Sequence, residues 1–152
     1  MKAKFKISVV ILFIIYFAAL IKLLVFKYPT GMVFEIANGN YVPFRTILNY
    51  LSGEFTWNVA IRNIVGNMIL FIPIGFFVPL FRRRFAWKSV LVAALVISTV
   101  IEIVQGIFRV GVVDIDDILL NVSGAIIGYG IFVCIKSIIY KLREKNGVSH
   151  HL

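Results

Sequence analysis

Four apolar runs, each long enough to cross a bilayer, constrain this chain more than anything else in it. They cover Ile7 to Phe26, Ile61 to Phe81, Ser89 to Ile107 and Asp117 to Lys136. About 20 helical residues cross a hydrocarbon core roughly 30 Å thick. The chain is 61% hydrophobic, more than a soluble domain of 152 residues can hide, so lipid is the expected solvent. In lipid the backbone must satisfy its own hydrogen bonds, which favours helices. The expectation is one integral membrane domain over residues 1–152: an all-α membrane protein, a four-transmembrane-helix bundle. "MKAKFK" would suit a signal peptide, but the apolar run is long and its small residues "AAL" lie inside it. The first run therefore reads as a retained anchor.

The cations give the orientation. Of 16 Lys and Arg, eleven fall on one side: Lys2, Lys4, Lys6, Arg82, Arg83, Arg84, Lys88, Lys136, Lys141, Arg143 and Lys145. The positive-inside rule puts that side, and both termini, in the cytoplasm. The loops 27–60 and 108–116 then face outward, with Lys22 and Lys27 snorkelling toward the outer head groups. This also explains the net charge of +9 without nucleic acid, for which no aromatic-basic surface motif argues.

The long outer loop contains "NYVPFRTILNYLSGEF". Pro43 suits a first helical position, and Phe44, Ile47, Leu48 and Leu51 would form one apolar face, with Gly53 as the stop. A short outer interfacial helix follows, with Arg45 near its start. A loop packed over the bundle has equal weight.

The spans are not uniformly apolar. Glu102, Gln105 and Arg109 fall at i, i+3 and i+7, one stripe if the helix continues that far. Asp117 and Asn121 are four apart, with Gly124 and Gly128 extending their stripe. Asn63, Gly66, Asn67, Leu70 and Ile74 share a face of the second span. Small residues at this spacing allow close approach of helices in lipid. By helical rise all the polar positions lie within roughly 9 Å of one boundary, so the stripes should face one another. An acid at a helix centre costs roughly 2.5 to 3.5 kcal/mol on insertion scales. Glu102 therefore needs a partner, among Gln105, Arg109, Asn63, Asn67 and Arg62. Asp114 or Asp116 would suit the start of the fourth helix as caps. A structural knot that fixes packing explains the same residues.

Other signals are plainer. Pro73 in "FIPIG" implies a kink, with Gly75 admitting a neighbour. The single Cys134 lies in an apolar run, and His150 and His151 sit in a polar tail, so no zinc-type spacing exists and no cofactor or metal is expected.

Three segments together resemble the VanZ-like membrane proteins. They are "VPF", "NIVGNMILFIPIGFFVPLF" and "STVIEIVQGIFRVGVVDIDDILLNVSGAIIGY", and the similarity covers roughly residues 40–130 in order and spacing. The joint pattern is N-x3-N-x3-F-x-P-x-G, then E-x2-Q-x3-R, then D-x-D-D-x3-N-x2-G. Here it falls on Asn63, Asn67, Phe71, Pro73, Gly75, Glu102, Gln105, Arg109, Asp114, Asp116, Asp117, Asn121 and Gly124. The resemblance implies a multi-pass protein of the bacterial cell membrane, associated with low-level resistance to teicoplanin, a lipoglycopeptide that binds cell-wall precursors. It implies no known reaction.

Three functions fit these residues. In the first, Arg62, Asn63, Asn67, Glu102, Gln105, Arg109, Asp114, Asp116, Asp117 and Asn121 engage the head group of an outer-leaflet lipid. The ligand would be a lipid-linked cell-wall precursor or the lipoglycopeptide itself, with Arg gripping phosphate. In the second, a membrane-embedded enzyme uses Glu102 and Asp117 as catalytic carboxylates, or holds a divalent ion on Asp114, Asp116 and Asp117. In the third, the chain supports another envelope protein. The glycine stripe also suits a homo-oligomer. The first reading ranks highest; whether the chain is an enzyme stays open.

Overall fold

The computed structural model describes residues 3–25, 39–81 and 86–145. Expectations for Lys2, Phe26, Lys27, Arg82, Arg83, Arg84, His150 and His151 fall outside them. Five helices are present: α1 (Ala3–Val25), α2 (Arg45–Leu51), α3 (Trp57–Phe81), α4 (Ala86–Phe108) and α5 (Ile115–Lys145). Three of these, α3, α4 and α5, are long and apolar enough to cross a membrane, and α1 carries a shorter apolar helix over Ile7–Leu23. The all-helical reading is correct.

The packing is turned outward, as lipid demands. Large aliphatics such as Ile14, Val92, Val100, Ile103 and Ile107 are exposed, whereas Ala94, Ser98, Gly124 and Ala125 are buried. Water would penalise this surface; acyl chains do not, so association between helices falls to close packing and hydrogen bonds.

The tightest packing is between α3 and α5, and glycine permits it. A Cβ on Gly124 would lie 2.0 Å from the Met68 carbonyl oxygen, and one on Gly128 would lie 1.9 Å from that of Ile72. From the other side, a Cβ on Gly75 would lie 1.9 Å from the Ala125 oxygen. Backbone therefore touches backbone over three positions. Gly66, expected on the same face, has open space around its Cβ direction and takes no part.

A core of Leu20, Phe71, Ile74, Val90, Ala94, Ile101 and Ala125 joins α1, α3, α4 and α5. Pro73 and Pro79 both lie inside α3. Pro73 has no N–H to offer the Ile69 carbonyl. One residue on, the Tyr16 hydroxyl of α1 donates to the Leu70 carbonyl, a bond that ties α1 to α3. Phe13 stacks near Phe17 and meets Phe77 and Phe81 edge-on, extending the α1–α3 contact.

Two helix ends differ from expectation. α2 begins at Arg45, with Phe44 rather than a residue before Pro43 as its N-cap, and Phe44 adopts φ 66°. Its far end matches expectation: Ser52 caps it and Gly53 takes φ 87°. The larger correction concerns α4, which stops at Phe108. Arg109 turns to φ 53°, its N–H meets the Gly106 carbonyl at 3.3 Å, and the Val110 N–H meets that of Gln105 at 3.1 Å. This is a Schellman end with arginine where glycine is usual. Arg109 thus leaves the helix and does not continue the Glu102–Gln105 stripe.

Candidate functional site

The polar residues come together where α4 ends and α5 begins. Asp114 starts α5 as its N-cap: its Oδ1 accepts the Asp116 N–H at 2.8 Å. The Asp114 N–H in turn donates to Glu102 Oε2 at 2.8 Å. Glu102 is only 3% exposed, so this bond and its further polar contact replace water that burial has removed. One turn further along α4, Gln105 is buried beneath the connecting loop, its amide carbon 3.1 Å from the Cβ position of Gly111. A larger residue at 111 would press on it.

Across the α3–α5 interface, Asn67 Nδ2 donates to Asp117 Oδ1 by a short bond. One turn deeper on α5, Asn121 Nδ2 donates to the Ser98 hydroxyl of α4 at 2.8 Å. Asn121 is 1% exposed, and its Oδ1 has no hydrogen-bond partner among the described residues. These bonds fasten α5 to α3 and α4 at nearly one level.

The segment 39–56, which carries α2, closes the same region. Asn40 pairs with Asp114 in an isolated parallel bridge, its N–H donating to the Val113 carbonyl at 2.8 Å and its carbonyl accepting the Ile115 N–H at 3.0 Å. The Asn40 amide donates to Asp114 Oδ1 at 2.9 Å, to Thr46 Oγ1 at 3.0 Å and to Asp116 Oδ2 at 3.4 Å. Its own Oδ1 accepts the Val42 N–H at 3.1 Å, an Asx turn. Asp116 is fully buried and receives the start of α2: the Phe44 N–H on Oδ1, and the Thr46 and Ile47 N–H groups on Oδ2 at 2.8 and 3.2 Å.

The structure therefore brings Asn67, Glu102, Gln105, Asp114, Asp116, Asp117 and Asn121 into one buried region. It leaves three of the expected residues apart. Arg62 and Arg109 are exposed. Asn63 turns its Nδ2 back to the Val59 carbonyl one turn earlier, at 2.9 Å. Asn40, Thr46 and Ser98 belong to the network and were not expected there. Ser98 had a readable signal, four residues before Glu102 on the same helical face.

Chemically this is a set of anions held by N–H groups. Asp114, Asp116 and Asp117 lie at the start of α5, where the helix dipole favours negative charge. The donors to these carboxylates include backbone and side-chain amides. Among the described residues, no three His, Cys, Asp or Glu converge in a way that could hold a metal ion.

Helices long and apolar enough to cross a membrane, packed around a buried polar cluster, define the class as a membrane protein. The comparisons give the family. The VanZ/LLP1 family model matches residues 13–138, and the chain belongs to that family. It is similar to "Protein VanZ" of Enterococcus faecium, 31% identical over 78 residues. That alignment covers 51% of this chain and 48% of the relative, so the chain spans about half the length of the protein it matches. No solved structure matches.

Proposed function

We propose that the chain crosses the bacterial cell membrane four times with both termini cytoplasmic, and that its polar cluster handles the head group of an outer-leaflet amphiphile. The ligand class is a lipid-linked cell-envelope precursor or a lipoglycopeptide, and the outcome is a contribution to teicoplanin-type resistance. One observation carries the reading: several spanning helices place buried acids and amides at a common level beside the α2 segment. Asp114 and Asp116 cap helix starts, but a packing knot alone would not need Glu102 and Asp117 beside them, since burying each carboxylate is costly.

Within this reading, Glu102, Gln105, Asn67, Asp117 and Asn121 face the head group, and Arg62 and Arg109 stand at the rim for phosphate. Asn63, Asp114 and Asp116 support them. Family membership and the similarity to a VanZ protein favour the resistance outcome. The enzyme alternative would draw on Glu102 and Asp117, and no separate feature favours it.

Native mass spectrometry of the detergent-purified protein tests the reading. A polyprenyl-phosphate-linked species retained by the native protein and lost from Glu102→Gln is the expected result. Retention of bulk phospholipid alone, with no binding of added teicoplanin, would overturn it.

A further inference from the structure

The least explained element is α2. None of its seven residues is buried, yet it keeps a defined place. Phe44 beside it is 59% exposed, and Leu48 and Leu51 within it 61% and 58%, whereas Ile47 and Tyr50 are half-buried. Tyr41, Val42, Phe55 and Trp57 on its flanks are exposed as well. What fixes the helix is its first turn, whose N–H groups have no partner within their own helix. Here Thr46 and Ile47 donate to Asp116 Oδ2, Phe44 donates to Oδ1, and the Asn40 amide adds a fourth donor. One carboxylate from α5 thus replaces the cap that Phe44 cannot supply from its own side chain.

We propose that Asp116 is a positioning residue that clamps α2 as a rigid platform on the membrane surface, and that acyl chains of the lipid leaflet cover the platform's apolar face. Two further observations support lipid as the occupant. The platform carries Trp57, Tyr41 and Tyr50, the aromatic types enriched at bilayer interfaces, with Phe55 packed on the Tyr50 ring. Its exposed apolar surface also leads into that of α3, where Ile61 and Ile69 are 55% and 56% exposed. Exposed Arg45 suits anionic head groups beside them. The clamp pulls the chain into the left-handed turn at Phe44, a conformation a bulky residue rarely adopts unless it is held. The clamp stands on the hydrogen bonds alone. The occupant rests on the proposed membrane boundary.

The test uses the full chain in vesicles of phosphatidylcholine and phosphatidylglycerol, with Cys134→Ser removing the native thiol. Spin labels on Leu48→Cys and Ile127→Cys report the distance between α2 and α5. Labels on Val100→Cys and Ile127→Cys report the bundle. The clamp predicts a narrow α2–α5 distribution that broadens at least about twofold in Asp116→Asn while the bundle pair stays narrow. An unchanged α2–α5 distribution would overturn it. If Asp116→Asn does not fold, hydrogen exchange on the unmutated chain decides: the Thr46 and Ile47 amides should be protected, and free exchange would overturn the clamp. The occupant is read separately. A fluorophore on Leu48→Cys should be quenched by lipid-borne spin labels and shielded from aqueous iodide. The reverse pattern would remove lipid as the occupant and leave the clamp standing. Neither result depends on whether the cluster binds a head group.

Discussion

Asn67 of α3 and Asp117 of α5 meet side chain to side chain, the amide donating to the carboxylate, at the interface where Gly124 and Met68 bring the two backbones into contact. The pair is polar and buried, and it sits at the mouth of the tightest helix contact. Removing the amide alone should take one hydrogen-bond donor from a buried carboxylate, at about 1–3 kcal/mol. Asn67→Leu is therefore expected to lower the melting temperature in detergent. Asn67→Leu combined with Asp117→Leu should recover part of that loss, because two apolar residues no longer need each other's hydrogen bond. Neither variant should confer resistance. Activity in the double variant would show that the pair only holds helices together.

Two glycines of α5, Gly124 and Gly128, should tolerate no Cβ. Gly124→Ala and Gly128→Ala each push against a carbonyl of α3, which must shift, at about 1–3 kcal/mol for overpacking. Gly66→Ala is the control. Its Cβ meets open space, and helix propensity makes it neutral or stabilising by up to about 1 kcal/mol. Thermal melts of the three variants check the contrast.

These two cases show what was legible in the sequence and what was not. Apolar runs and glycine spacing are local signals, and they placed α3, α4, α5 and the α3–α5 contact. The coincidence of depth gathered Asn67, Glu102, Asp117 and Asn121. Arg109 would join the Glu102–Gln105 stripe only if α4 continued that far; helices usually stop at glycine, whereas here an arginine adopts the left-handed turn. Asn63 shares a face with Asn67, but an asparagine can return its amide to its own helix, and spacing does not distinguish the two. Asn40 was invisible for another reason. Its acidic partners lie 74 and 76 positions away, and only the fold joins them.

Arg109 offers a way to separate stability from function. Arg109→Gly should relieve the left-handed strain and stabilise the end of α4 by about 1 kcal/mol, read as a higher melting temperature. If the guanidinium also grips phosphate at the rim, the same variant should lose protection against lipoglycopeptide. Higher stability with full protection would reduce Arg109 to a helix end.

Topology is testable without a ligand. A reporter fused after Lys141 should be active in the cytoplasm, and one inserted at Gly53 should report outside. A cytoplasmic signal at Gly53 would move the cluster to the inner leaflet and remove access to external lipoglycopeptide.

Glu102 tests the central claim, that the cluster is a charge-dependent site rather than a packing device. It is buried, and one of its oxygens takes the N–H that opens the Asp114 cap. Glu102→Gln keeps the shape and an acceptor for that N–H while removing the charge, so the desolvation cost falls. The decisive measurement is the minimal inhibitory concentration of teicoplanin in a susceptible host expressing each form at equal membrane abundance. The account predicts that Glu102→Gln inserts normally, melts at or above the temperature of the unmutated protein, and confers no protection. Protection equal to that of the unmutated protein would contradict it and return the cluster to a structural role.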